Sequence, residues 1–293
     1  MKQLLLSFAG LLLLGNAAMA QNEQTLADVE AIISQINAHG YSASADVNND
    51  NRVDIADIFC VLNNMQKASA SQKDTIQITE ARGWLESVYV KWKLLEGAKS
   101  YNVFVRGGQY TDWTKIDQQL VRNYGTYGRA DVVGLQACSY ELKVAGVKDG
   151  NESNVQPTTV SGLEVKGYSR QGFAFMGGYE PGAYKADGTL KQGAKVFYVT
   201  AKTAKTITTT VAGAKQNPCV GLQQIVEAYE KGQDTTPIAF RFIGKVAVDD
   251  LDFLGSKEEG VQVKGRKADS ELNITFEGIG DDATLHGFGF LVR

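Results

Sequence analysis

The chain is poor in the residues that most often carry chemistry: three Cys, two His, three Trp and four Pro in 293 residues. Cys60, Cys138 and Cys219 lie far apart and are odd in number. That excludes a disulfide framework and the paired spacing of a zinc site, and all three are expected as buried free thiols. His39 and His286 have no Ser or Cys partner in a recognisable arrangement, so a nucleophile triad is unsupported. No Gly-rich stretch ends in Lys-Ser or Lys-Thr, so no phosphate cradle is expected. A net charge of −3 lacks the basic footprint that nucleic-acid binding requires. Long apolar runs are missing as well. The longest, residues 4–14, falls well short of the roughly 20 residues that span a bilayer.

That run has another reading. Lys2 precedes it, and Ala18-Met19-Ala20 follows it before Gln21. A basic start, a short apolar core and a small-x-small site describe a cleaved secretory signal over residues 1–20. The expected location is outside the cytoplasm of a bacterium, extracellular or periplasmic, with no membrane attachment after cleavage. No Cys stands at the cleavage point to take a lipid. About 270 residues remain, room for two or more domains.

The first of these contains a repeat. Leu26-Ala-Asp-Val-Glu-Ala-Ile-Ile33 aligns with Ile55-Ala-Asp-Ile-Phe-Cys-Val-Leu62. Each copy places apolar residues at i, i+3, i+6 and i+7, one face of a helix. Before the second copy stands Asp46-Val-Asn-Asn-Asp-Asn-Arg-Val-Asp-Ile-Ala-Asp57. Its oxygen-bearing side chains fall at loop positions 1, 3, 5, 9 and 12, a spacing that suits calcium, a hard cation with six to eight oxygen ligands. The expected ligands are the side chains of Asp46, Asn48 and Asp50, the carbonyl of Arg52, Asp54 through water, and Asp57. Asn51 takes the position that normally needs Gly, as a residue tolerant of left-handed backbone. An Asn-rich turn that simply caps a helix is the alternative. Residues 22–66 resemble a dockerin-type module. That resemblance implies a calcium cofactor and a cohesin-like partner protein. The first copy departs from it: Asp28 closes a loop that would begin at Ala17, inside the signal, so one of two calcium loops is missing.

Residues 75–165 carry a different period. Val88-Tyr-Val-Lys-Trp92, Tyr101-Asn-Val-Phe-Val-Arg106 and Tyr140-Glu-Leu-Lys-Val-Ala-Gly-Val147 alternate in hydropathy and are separated by turns. Such strands argue for a sandwich, with Trp92 in its core and Tyr140, after Leu135, at a tyrosine corner. The segment resembles a fibronectin type III domain. Tyr110, Trp113, Tyr124 and Tyr127 are expected as loop residues folded back on the sandwich, with stacking on sugars as the alternative.

Residues 172–293 are rich in Gly, Val, Thr and Ile. Strands are expected at 194–200, 237–246, 260–264 and within 273–293, and a helix at 220–232 with Leu222, Ile225, Val226 and Tyr229 on one face. Short strands with Gly between them fit a parallel β-helix, whose opening helix covers the end of the stack. The run Asn273-Ile-Thr-Phe-Glu-Gly-Ile-Gly-Asp-Asp-Ala283, with Gly182-Ala-Tyr-Lys-Ala-Asp-Gly-Thr-Leu190, resembles the start of a pectate lyase of polysaccharide lyase family 1. The resemblance implies a right-handed parallel β-helix and calcium-dependent β-elimination on pectin or polygalacturonate. The family's Trp-Ile-Asp-His-like and Arg-Pro-x-x-Arg-like stretches have no match, since no Trp follows Trp113 and no Pro follows Pro237. No catalytic residue is therefore assigned; residues 172–293 are expected to be the N-terminal cap and first coils, and the 293-residue chain is expected to be inactive alone. Asp249, Asp250, Asp252, Asp281 and Asp282 are expected as solvated loop charges. The expected fold is multi-domain and mainly β. A truncated calcium-binding, carbohydrate-binding or adhesion protein is the alternative function.

Overall fold

The computed structural model describes residues 19–71, 73–255, 260–265 and 273–293. Of the expected signal, residues 1–20, the first eighteen lie outside the described residues, and Met19 and Ala20 open the first helix. The chain forms two compact units, Met1–Lys73 and Asp74–Arg293. Among the described residues it is mainly β, and no helix is long and apolar enough to cross a membrane.

The first unit is a helix pair, α1 (Met19–Ala38) and α2 (Ile55–Ser71). Among the described residues the repeated apolar face is buried or half-buried except at its first position in the second copy, Ile55, which is 56% exposed. Ile32 and Ile58 are buried with Ala45, and Val29, Ile33, Ile36, Val61 and Leu62 close around them. Helix α1 stops where His39 turns left-handed (φ 48°) and the Gly40 N–H donates to the Gln35 carbonyl at 3.1 Å.

The second unit begins with β1 (Asp74–Thr75), β2 (Ile78–Gly83), β3 (Ser87–Lys93), β4 (Ala98–Gly107), β5 (Tyr110–Lys115), β6 (Val121–Asn123), β7 (Tyr127–Val133), β8 (Ser139–Lys148), β9 (Val155–Gln156) and β10 (Thr158–Glu164). Two four-stranded antiparallel sheets form, ordered β2-β3-β7-β6 and β10-β8-β4-β5. Alternation puts Val88, Val90 and Trp92 inward from β3, against Val103, Val105, Leu142 and Val144 of the other sheet. Trp92 is fully buried and lies 5.2 Å from Tyr101 by ring centroids. Its cross-strand partner is Gly128, where a Cβ would stand 2.2 Å from the indole. The Tyr140 hydroxyl shares its one proton between Gln109 Oε1 at 2.6 Å and the Gln136 carbonyl at 3.1 Å, beneath fully buried Leu135.

The rest of this unit holds β11 (Lys195–Val199), β12 (Thr208–Thr209), β13 (Cys219–Val220), α3 (Leu222–Tyr229), β14 (Ile238–Ala247), β15 (Val261–Val263), β16 (Ile274–His286) and β17 (Phe290–Val292). Two parallel ladders form, β11-β14-β16 and β15-β17. Successive passes of the chain place like beside like. Phe197, Phe240 and Phe276 share one register row, with centroids 6.0 and 5.4 Å apart. Their face packs on α3, whose Leu222, Ile225, Val226 and Tyr229 are all fully buried.

Helix α3 also covers a strand edge. The Gln262 N–H donates to Gln223 Oε1 at 3.3 Å, and the Lys264 N–H donates to Glu230 Oε1 at 3.1 Å. Outward amides of β15 thus find acceptors on the helix, the side-chain remedy for an otherwise exposed edge. From the other side, Asp252 accepts the Gln223 and Gln224 N–H groups at 3.0 and 2.9 Å, capping the helix start.

Several sequence expectations need correction. Only Cys219 is buried; Cys60 and Cys138 are half-exposed, and all three are free thiols. The acids of the second unit are not merely solvated. Asp252 caps α3, Asp250 accepts the Ala247 N–H at 2.8 Å, and Asp281 and Asp282 bond to the sandwich. Tyr110 and Trp113 lie on β5 and Tyr127 on β7, not on loops. Trp113 lies 4.6 Å from both Arg106 and Lys143, a cation–π arrangement.

Candidate functional site

The loop between α1 and α2 is built of self-capping Asx turns. Asp46 accepts the Asp50 N–H at 3.1 Å and the Asn51 N–H at 2.9 Å. Asn48 Oδ1 also accepts the Asp50 N–H at 3.0 Å, and its amide donates to Asp50 Oδ2 at 3.1 Å. Asp50 Oδ1 accepts the Arg52 N–H at 2.9 Å, and Asp54 the Ala56 N–H at 2.7 Å. Asn49 and Asn51 take left-handed backbone, φ 60° and 65°, so Asn51 fills the turn position as expected from its tolerance. Asp57 reaches back from the first turn of α2 to the Val47, Asn48 and Asp54 N–H groups at 2.8, 3.2 and 2.9 Å. The loop therefore brings Asp46, Asn48, Asp50 and Asp57 onto one backbone coil, while Arg52 is exposed and Asp54 half-buried.

Among the described residues no three His, Cys, Asp or Glu side chains converge at metal-holding spacing. The carboxylates face backbone amides instead. Asp46 and Asp57 are 5% and 0% exposed, and their charge is met by backbone N–H donors, with the Tyr41 hydroxyl at 3.1 Å on Asp46, and by no Lys or Arg among the described residues. Burying carboxylates without a counter-charge is costly. Asp46, Asn48, Asp50 and Asp57 offer hard oxygens of the kind calcium takes, here turned onto backbone amides.

Burial raises the Asp57 pKa, but backbone donors at Asp54, Asn48 and Val47 outweigh it and hold the carboxyl below its usual range. A depressed folded pKa gives stability that is present above the unfolded value, about 4, and is lost as pH falls through the folded value. In the metal-free chain the α1–α2 pair should lose stability, read as a lower melting temperature by circular dichroism, as pH falls below about 4. Asp57→Asn should remove that acid-dependent step; an unchanged acid profile would refute the assignment.

A second constellation lies where the sandwich meets the parallel ladder. Between Ile243–Ile279 and Lys245–Thr284 the register slips, and Gly244 faces four residues, 280–283. The resulting bulge carries Asp281 and Asp282 to the outer face of the β2-β3-β7-β6 sheet. Arg129 bonds to Asp281, and the Tyr124 hydroxyl donates to Asp282 at 2.8 Å. Arg122 donates to the Ile279 carbonyl at 2.9 Å. Tyr127 stacks on Tyr124, centroids 5.0 Å apart. Burial raises the Tyr124 pKa to about 12, helped by Asp282.

Beside the bulge, Arg241 of β14 is 5% exposed. It donates to Glu277 at 2.8 Å, to the Tyr184 hydroxyl at 2.9 Å and to the Tyr198 hydroxyl at 3.4 Å. Tyr184 also donates to Glu277. Burial foremost, and Glu277 next, push the Tyr184 hydroxyl well above the ordinary phenol range. Arg241 floors a cleft of about 490 Å³ between the ladder and the sandwich, with Tyr110 and Lys185 on its rim. Strand periodicity placed Arg241 on β14, but nothing in the sequence announced this cleft. Its walls come from segments more than a hundred residues apart.

No family model matches the chain, and no curated protein does. Among solved structures it is similar to a β-1,2-glucanase from Parabacteroides distasonis, at 18% identity over 33% of this chain and 14% of that one, with a TM-score of 0.24. A likeness that slight carries no argument.

Proposed function

We propose that the protein serves the breakdown of acidic pectic polysaccharide outside the cell, as a calcium-dependent lyase of the pectate lyase type. In this reading residues 22–66 are a dockerin-like calcium module open to a cohesin-like partner. Residues 75–165 are a fibronectin type III domain, and residues 172–293 the cap and first coils of a right-handed parallel β-helix. The supporting observation is the pair of in-register parallel ladders, with the Phe197–Phe240–Phe276 row inside and α3 closing the β15 edge. Like-on-like stacking with a covered end is the physical signature of a solenoid. The sheet order and the Trp92 and Tyr140 placements support the sandwich reading in the same way. No residue among the 293 is assigned a catalytic role. Calcium in the 46–57 loop would be held by Asp46, Asn48, Asp50, the Arg52 carbonyl, Asp57 and, through water, Asp54, and would supply stability there.

Two measurements test this. Incubated with polygalacturonate and calcium, the protein as its source cell secretes it should release unsaturated uronate, read by ultraviolet absorbance, and a chelator should stop the release. Without release under any condition, the lyase reading falls. Calcium should also raise the melting temperature of the helix pair, by about 2.7 kcal/mol of stabilisation at a hundredfold excess over Kd. Asp46→Ala and Asp57→Ala should abolish that rise, and no rise in the unsubstituted chain would end the calcium reading. The cleft at Arg241 favours a second reading, a carbohydrate-binding or adhesion protein without catalysis. That reading expects sugar binding with no product release.

A further inference from the structure

We infer that the cleft floored by Arg241 binds the carboxylate-bearing residue of an acidic sugar chain. The inference rests on the proposal that the protein acts on acidic polysaccharide, and it names a contact that the proposal does not contain.

Arg241 carries five N–H donors. Three go to Glu277, Tyr184 and Tyr198. One N–H on each terminal nitrogen is left without a protein acceptor among the described residues. A pair of terminal guanidinium donors matches the two oxygens of a carboxylate. Glu277, Tyr184 and Tyr198 hold the guanidinium still, so little side-chain freedom remains to be lost on binding.

The walls suit the rest of a sugar. Tyr110 packs against the sandwich core and lines the cleft with a half-buried aromatic side chain, a residue type that packs on pyranose faces. Gln109 is fixed at both ends: its amide donates to the Gly134 carbonyl at 2.9 Å, and its oxygen accepts from Tyr140 at 2.6 Å. Gly134, with φ at 77°, takes left-handed backbone, and a Cβ there would press on the Tyr184 ring at 3.0 Å. Lys185 adds an exposed cation at the rim. One acid, Asp187, also lines the cleft. Its carboxylate is turned onto the Thr189 hydroxyl and N–H at 2.6 and 2.9 Å, with capacity to accept a sugar hydroxyl as well. Donors for a carboxylate, acceptors for hydroxyls and one ring face together fit an acidic sugar better than a neutral one or a simple anion.

The test is calorimetric titration of the 293-residue chain with trigalacturonate and, separately, with a neutral galactose trimer. Chelator is present throughout so that the calcium loop takes no part. The acidic trimer should bind at least tenfold more tightly than the neutral one. Lys185→Ala and Tyr110→Ala should each weaken binding about tenfold, and Arg241→Gln should abolish it. If Arg241→Gln fails to fold, the two rim variants decide. Absence of binding, equal binding of both trimers, or unchanged affinity in folded rim variants would overturn the inference. Because the titration reads binding without cleavage, its failure leaves the lyase proposal to stand or fall on product release.

Discussion

Phe240→Ala is expected to cost about 3–5 kcal/mol of stability in the second unit. The ring is fully buried in the middle row of the ladder. Phe197 stacks on one side and Phe276 on the other, with Phe276 in turn 4.4 Å from Phe290. Truncation removes the transfer energy of the ring and leaves a cavity that the neighbours cannot fill, since each is fixed by its own strand register. It also removes two aromatic pairs worth about 0.5–1.5 kcal/mol each beyond burial. Phe240→Leu keeps most of the volume and should recover more than half of the loss. Urea unfolding followed by tyrosine and tryptophan fluorescence measures both variants. A loss below about 1 kcal/mol for the alanine variant would mean that the stacked row does not hold the ladder together.

The second large effect concerns charge. Asp131 of β7 is 7% exposed and serves two guanidinium groups. Arg129 donates to it through Nε and Nη2, both at 2.9 Å, and Arg122 bonds to it through Nη2. Both arginines are largely buried, at 5% and 9% side-chain exposure. Asp131→Ala leaves two buried cations facing each other without their shared anion. The expected cost is about 3–5 kcal/mol, the range for breaking a buried pair by removing one partner. Replacing all three residues together, as Arg122→Met, Arg129→Leu and Asp131→Leu, should be much milder, because the desolvation cost disappears along with the attraction. If the triple variant is no more stable than Asp131→Ala, the penalty is one of packing and the electrostatic account is wrong.

These two sites also mark how far the sequence could be read. The Phe240 row follows from local pattern. Alternation within residues 237–246 sets which face Phe240 occupies, and Gly and turn residues set where the strands stop. The same applies to the paired helices, where the repeat displayed its buried face at Ile32 and Ile58, and to the Asp46–Asn48–Asp50 turns. The Asp131 cluster was not legible. Its members are two and nine residues apart in the chain, but the surface that buries them is β16, some 150 residues away. Asp281 and Asp282 read as ordinary loop acids because nothing local says that a four-against-one bulge presents them to another sheet. Arg241 was hidden for the same reason: its partner Glu277 is placed by ladder register, and Tyr110 by the docking of the sandwich. Local periodicity encodes which way a side chain points. It does not encode what arrives opposite.

The bulge at 280–283 has a mechanical consequence. A module on a free tether would swing and bear no load. Here Arg122, Tyr124 and Arg129 of the sandwich grip three points within four residues of β16, at Ile279, Asp281 and Asp282. A pull applied to the sandwich would be delivered to the middle of that strand and passed along its ladder bonds to β14. Those bonds would share the force across the strand instead of opening one by one from an end. The join between these two structures would act as a strut.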